Sequence, residues 1–132
     1  MNGIILDLPP QDVFGQMAAD EALAALKPRE FTVRFFDWSG GGVTFGYAQT
    51  VSDVERALPP GTGKNYTRRP TGGGVVPHFS DLTFSCVFPD EGVLRPGDIY
   101  RRLHGAVNAG LCLRGIGARP YKGAADYRPA DQ

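Results

Sequence analysis

Residues 68–78, Arg-Arg-Pro-Thr-Gly-Gly-Gly-Val-Val-Pro-His, decide how this chain is read. Three consecutive glycines carry no Cβ, so the backbone can take positive φ and approach a ligand closely. Successive N–H groups in such a turn form a concave nest for an anion. Arg68 and Arg69, just upstream, bring fork-shaped donors that suit carboxylate or phosphate oxygens. Thr71 adds a hydroxyl, and His78 a side chain whose charge changes near neutral pH. On chemistry alone the segment is a carboxylate- or phosphate-binding loop held between strands. The plainer alternative is a glycine-rich turn with surface arginines. Ser39-Gly40-Gly41-Gly42 has no neighbouring cation and reads as a turn only.

Working outward, residues 64–69 lead into the loop as a short strand. Residues 81–89 follow as the cleanest strand, with Leu82, Phe84, Cys86 and Phe88 on one face and Thr83, Ser85 and Val87 on the other. Upstream, the aromatic-rich stretch 31–38 and the stretch 43–49 read as two strands joined into a hairpin by the 39–42 turn. Residues 51–58 form a short helical turn and 58–63 a loop. Residues 12–27 read as a helix rich in alanine and leucine, stopped by Pro28. At about 100° per residue, Val13, Phe14, Met17 and Ala24 share an arc, with Glu21 inside it and Asp20 at its edge. A carboxylate there needs a partner, because burying it alone is costly. Glu21 either reaches solvent, caps a neighbouring loop, or pairs with an arginine of the glycine loop. Asp98 reads as the N-cap of a long helix whose core stripe is Ile99, Leu103, Val107 and Leu111. Arg101, Arg102 and His104 fall on its solvated side. No repeat or linker divides the chain, so residues 1–132 are expected to form one domain.

Composition narrows the function classes. Fourteen Lys plus Arg balance fourteen Asp plus Glu. A net charge of zero argues against a surface-wide polyanion binder, so no nucleic-acid partner is expected. Cys86 and Cys112 make no disulfide framework and read as reduced, buried thiols. Eighteen glycines and eleven prolines suit a loop-bearing α/β or α+β domain. The start of the chain lacks a basic segment with a long apolar run, and no stretch approaches the roughly 20 apolar residues of a membrane span. A cytoplasmic protein without a membrane partner is the expectation. Pro59-Pro60-Gly61-Thr62-Gly63-Lys64 imitates a Walker loop, but Leu58 and Asn65 stand where that rule needs a glycine and a Ser or Thr.

The loop sequence RRPTGGGVVPH resembles the RRxxGGGxVxH signature of lipoate–protein ligases and octanoyltransferases, the biotin/lipoate protein ligase catalytic-domain family. MAADEAL at 17–23 is similar to that family's first-helix motif, and VTFGYAQ at 43–49 to its second-strand motif. DLTFSCVFP at 81–89 and IYRRLHGAVNAGLCLRGIGA at 99–118 resemble the strand and helix that follow the signature. The resemblance implies an α+β (α/β) fold: a mixed sheet flanked by helices, of the class II aminoacyl-tRNA synthetase/biotin-ligase type. It implies an acyl chain in a tunnel beside the glycine loop. Arg69 would contact the acyl carboxylate or the phosphate of an acyl-adenylate, with Arg68 and Thr71 beside it. Gly72, Gly73 and Gly74 would line that group with backbone, and Val75, Val76 and His78 would border the nucleotide or carrier side.

Two reactions occur in the family. Ligases use ATP and Mg2+ to activate lipoate, then acylate a lysine of a carrier domain. Transferases move octanoyl from a thioester, on acyl carrier protein or a lipoyl domain, through a cysteine. The implied partners are a lipoyl carrier domain or glycine-cleavage H protein, and acyl carrier protein. This chain departs from the pattern in three places. The family's catalytic lysine lies in a D-x-x-x-x-G-x-K-x-x-G segment, and Lys122 has no such context, so the catalytic residue is unknown and the fold reads as incomplete at its C-terminus. Neither Cys86 nor Cys112 has an activating neighbour. His78 is followed by Phe79-Ser80-Asp81 rather than directly by the aspartate of many ligases. The competing expectation is a non-catalytic acyl- or nucleotide-binding remnant.

Overall fold

A computed structural model describes residues 3–89 and 95–119, which divide into units covering Met1–Asp90 and Glu91–Gln132. The first unit runs β1 (Gly3–Asp7), α1 (Val13–Leu26), β2 (Phe31–Phe36), β3 (Gly42–Phe45), α2 (Val51–Ala57), β4 (Tyr66–Arg68), β5 (Val76–His78) and β6 (Thr83–Val87). These strands form two three-stranded mixed sheets with helices beside them, β1-β2-β6 and β4-β3-β5. In each, the central strand is parallel to one neighbour and antiparallel to the other.

That topology corrects the expected hairpin. Both edges of β2 are taken, by β1 and β6, and both edges of β3 by β4 and β5. No edge remains for β2 to pair with β3. The chain leaves β2 through a bridge from Trp38 to Gln11, with the Ser39 N–H donating to the Gln11 carbonyl at 2.8 Å. Two strands went unrecognised. β1 is a short run with no alternation, and β5 is hidden inside the loop motif. Pro77 is tolerable in β5 because it is an edge strand, where a missing N–H breaks no ladder.

The core of this unit is small. Val13, Met17, Phe36, Val43, Phe45 and Val54 are buried, and so are the polar side chains Gln16, Thr32, Arg34, Thr44 and His78. On β2 the inward residues are Thr32, Arg34 and Phe36. The apolar face of β6, with Phe84 and Cys86, is not the inward one. Phe84 lies beside Phe35, ring centroids 6.0 Å apart, with Phe35 46% and Phe84 42% exposed. The inward face of β6 carries Thr83 and Ser85, because register sets Ser85 opposite Arg34. Cys86 is half-buried, and burial pushes its thiol pKa up.

Helix α1 is capped by Asp12, whose carboxylate accepts the Gly15 N–H at 2.8 Å, and ends at Lys27 in the left-handed region. Its buried stripe is Val13, Gln16 and Met17, with the half-buried Asp20 at the next turn. Of the expected arc only Val13 and Met17 are buried: Phe14 is 49% exposed, and Ala24 and Glu21 are exposed as well. Asp20 is the carboxylate that pairs, and its partner is Arg34 of β2 rather than an arginine of the glycine loop. Arg34 Nη2 lies 2.7 Å from Asp20 Oδ1 and donates to the Gln16 carbonyl at 2.9 Å. Arg34 Nη1 donates to the Gln16 side-chain carbonyl, and the guanidinium lies 3.9 Å from the Phe36 ring centre. A fully buried arginine on a strand needs partners of this kind.

In the second unit, α3 spans Pro96–Leu113. Its N-cap is Arg95, not Asp98, because Pro96 pre-sets the first helical φ and starts the helix earlier. Asp98 sits in the first turn instead, where a negative charge favours the helix dipole. The expected core stripe is not buried: Ile99, Leu103 and Leu111 are half-buried and Val107 is 49% exposed. Cys112 is exposed, against the expectation of a buried thiol. Lys122 lies outside the described residues. Among the described residues no helix is long and apolar enough to cross a membrane.

Candidate functional site

The glycine loop joins β4 to β5, and β3 lies between those two strands. Gly46, just after β3, meets the loop directly. A Cβ there would overlap the Gly73 carbonyl oxygen and crowd the rest of the Gly73 backbone. The Tyr47 N–H donates to the Thr71 carbonyl at 2.9 Å, and the Gln49 side chain accepts the Gly46 N–H at 3.0 Å. The Gly and Gln of VTFGYAQ are thus the seat of the loop.

The two arginines divide the work. Arg68 donates to the Tyr47 carbonyl and, at 2.7 Å, to the Gln49 carbonyl, and its guanidinium lies 4.9 Å from the Phe45 ring centre. It fixes the segment after β3. Arg69 turns to the loop itself. Its Nη2 donates to the Gly72 carbonyl at 3.0 Å and the Gly74 carbonyl at 2.9 Å, and its Nη1 to Thr44 Oγ1 at 2.8 Å. Burial lowers its pKa somewhat, yet an arginine remains charged at any ordinary pH.

This clamp orients the loop. In a trans peptide the C=O and the following N–H point to opposite sides, and no peptide among the described residues is cis. With the Gly72 and Gly74 carbonyls turned to Arg69, the N–H groups of Gly73 and Val75 point away from it. With the Gly73 carbonyl turned to Gly46, the Gly74 N–H points away from Gly46. Gly73 has φ +100, which only glycine adopts readily. Gly72, Gly73 and Gly74 are exposed, and a Cβ on Gly72 or Gly74 would meet nothing within 4 Å. The carbonyls are tied inward and the amide donors face outward.

His78 closes the far end of the loop. It is buried, stacked on Trp38 with ring centroids 3.8 Å apart. Its Nε2 lies 2.8 Å from Thr44 Oγ1 and its Nδ1 2.8 Å from Asp81 Oδ2. Asp81 Oδ2 also accepts from Thr83 Oγ1 at 2.9 Å and Trp38 Nε1 at 3.1 Å. Burial alone would push the Asp81 carboxyl up, but hydrogen bonds from His78, Thr83 and its own backbone, with the attraction of His78, hold it below its usual range. The aspartate displaced to the third position after the histidine therefore still reaches its ring. Thr44, His78 and Asp81 have the spacing of a nucleophile, base and orienting acid. Thr44 is fully buried, however, so its hydroxyl meets no substrate and the trio is structural.

Of the residues singled out in the sequence, Arg68, Arg69, Thr71, Gly72, Gly73, Gly74, Val75, Val76 and His78 lie on this one loop and its flanking strands. Thr71 and Val76 are exposed and Val75 is half-buried. Trp38, Thr44 and Thr83 were not singled out as site residues, Gly46 and Gln49 were noted only within the VTFGYAQ motif and Asp81 only as a departure from the ligase pattern, since only the fold brings them to the loop. The Walker imitation leads into β4 rather than a helix, with Thr62 donating to the Pro59 carbonyl in a turn. With Gly41, Gly42, Asn65 and Phe79 it lines a separate cavity of about 410 Å³.

A glycine loop between mixed strands, clamped by an arginine and seated on a second glycine, sits in a chain that is similar to lipoate–protein ligases and octanoyltransferases. No family profile matches the chain. Individual relatives do, and the chain is homologous to this family over most of its own length. Octanoyltransferase LipM of Symbiobacterium thermophilum is 36% identical over 122 residues, covering 87% of this chain and 44% of that protein. The LipM octanoyltransferase of Moorella thermoacetica is 37% identical over 124 residues, covering 86% and 44%. The crystal structure of lipoate-protein ligase A bound with ATP superposes with a TM-score of 0.73 at 27% identity, covering 98% of this chain and 54% of that one. The chain thus spans less than half the length of these curated relatives.

Proposed function

We propose that this chain supplies the acyl-holding part of an enzyme that transfers octanoyl or lipoyl groups to a lysine of a lipoyl carrier domain or glycine-cleavage H protein. The observation that carries this reading is the outward set of N–H groups at Gly73, Gly74 and Val75, which follows from the Gly72 and Gly74 carbonyls bonding to Arg69 and the Gly73 carbonyl lying against Gly46. Preorganised backbone donors of this kind stabilise negative charge as it develops on an acyl oxygen or an adjoining phosphate. The octanoyltransferase relatives favour an octanoyl thioester, carried by acyl carrier protein or a lipoyl domain, as donor. The ligase neighbour favours ATP, which with Mg2+ would activate a free acid. In that case the same donors suit the phosphate of the acyl-adenylate. Arg69 keeps the loop in register in either reaction.

A second reading, a binding module without turnover, has its own support. Cys86 is half-buried with its thiol pushed up, the reverse of an activated nucleophile. The test is to incubate the chain with a lipoyl domain and octanoyl–acyl carrier protein, or with ATP, Mg2+ and lipoate, and to weigh the carrier. A mass gain on the carrier lysine supports transfer, and ATP dependence separates ligase from transferase. Acyl binding without mass gain leaves the binding module.

A further inference from the structure

We propose that Thr44 is a positioning residue for the glycine loop: its buried hydroxyl links His78 and Asp81 to Arg69 in a one-way hydrogen-bond chain. The idea rests on the loop being the acyl site. Thr44 Oγ1 has one proton to give and lone pairs to receive. It receives from Arg69 Nη1 at 2.8 Å, and its other partner is His78 Nε2, also at 2.8 Å. At the far side Asp81 Oδ2 already accepts from Thr83 Oγ1 and Trp38 Nε1, as a carboxylate does, so His78 Nδ1, 2.8 Å away, carries the proton that faces it. In a neutral imidazole Nε2 is then the acceptor, and Thr44 must donate to it. With the ring in that tautomer the direction is one-way along the whole chain. Arg69 donates to Thr44, Thr44 to His78, and His78 to Asp81.

Each donor in such a chain polarises the next, and burial of Thr44 and His78 strengthens the effect. One end is a guanidinium and the other a carboxylate, so the series runs with the charges. Arg69 spends both protons of its other terminal nitrogen on the Gly72 and Gly74 carbonyls. Fixing Nη1 on Thr44 fixes the plane of the guanidinium, and with it the outward set of the loop amides. Without the hydroxyl, Arg69 loses the contact that orients its fork and His78 loses the donor to Nε2.

The test uses the full chain as wild type, Thr44→Val and Thr44→Ser. Nitrogen-15 spectra of wild type should show the His78 ring proton on Nδ1 with Nε2 bare, and a proton on Nε2 overturns the proposal. Thr44→Val should displace the amide resonances of residues 72–75, while Thr44→Ser keeps them near wild type. Affinity for octanoyl-sulfamoyl-adenosine should fall about tenfold in Thr44→Val, one lost buried hydrogen bond, and stay within about twofold in Thr44→Ser. Equal loop resonances and equal affinity in all three proteins overturn the proposal. If Thr44→Val does not fold, the wild-type tautomer and the serine rescue decide. Wild type that binds neither this probe nor octanoyl–acyl carrier protein, yet shows the Nδ1–H tautomer and the valine-specific loop shifts, overturns the acyl-site reading and supports the Thr44 chain.

Discussion

Gly46 and Gly73 meet backbone to backbone, and no side chain stands between the end of β3 and the crown of the glycine loop. The atom that a Gly46 Cβ would strike is a carbonyl oxygen, with the Gly73 carbonyl carbon and nitrogen close behind. Backbone has no rotamer by which to give way. Gly46→Ala is therefore expected to shift the loop or the strand end, at about 1–3 kcal/mol, the range for overpacking. Gly74→Ala meets open space at ordinary φ and should leave stability within about 0.5 kcal/mol of wild type, as surface substitutions do. Chemical denaturation of the two variants checks the contrast. Equal stabilities would place the loop away from Gly46.

Arg69 bonds three groups at once, and lysine cannot copy a planar fork. Arg69→Ala is expected to weaken acyl-adenylate-analogue binding by roughly 1.5–3 kcal/mol, the range for hydrogen bonds to charged groups. Arg69→Lys should recover less than half of that loss. Arg68→Lys is expected to be milder at the site, because Arg68 anchors the Tyr47 and Gln49 carbonyls rather than the loop. Calorimetric titration ranks the three. Unchanged affinity in Arg69→Ala removes the clamp from the binding site.

Much of this was legible in residues with a local signal. RRPTGGGVVPH marked the loop, alanine and leucine marked α1, and the order of motifs marked the family. What was not legible depended on pairing across long stretches of chain. Nothing near 31–49 says that β2 pairs with β1 and β6, so turn chemistry between neighbouring strands suggested a hairpin that does not exist. Asp20 and Glu21 differ by one helical step, and only the arrival of Arg34 from β2 chooses between them. Asp81 looked like a departure from the family's motif. The loop geometry carries it back to His78, a contact that spacing alone could not foretell.

Asp81 has a consequence in acid. Its folded carboxyl titrates below the usual 3.8, since hydrogen bonds favour the charged form over the cost of its burial. A depressed carboxyl adds stability that is complete above its unfolded value and is lost as pH falls through the folded value. Stability should therefore decline below about pH 4 more steeply in wild type than in Asp81→Asn. Unfolding followed from pH 6 to pH 2 tests this. Parallel curves for the two proteins would show that Asp81 contributes nothing to the acid limb.

The Asp20–Arg34 pair supplies the severest test of the fold. The Arg34 side chain is fully buried, and that of Asp20 is only 15% exposed. Removing one partner leaves a buried charge uncompensated, which costs about 3–5 kcal/mol. Asp20→Ala should approach that loss even though the Gln16 carbonyls still receive Arg34. Arg34 Nε already has no partner, and neither has the Ser85 hydroxyl directly across the strand pair. The site is thus not fully satisfied as it stands, and an apolar replacement has less to lose than geometry alone suggests. The double variant Asp20→Leu with Arg34→Met removes both charges and is expected to recover most of the single-variant loss, because no ion is left to desolvate. A double-mutant cycle by urea denaturation measures the coupling. Additive losses in the double variant would mean that the pair is held by the surrounding packing rather than by its charges.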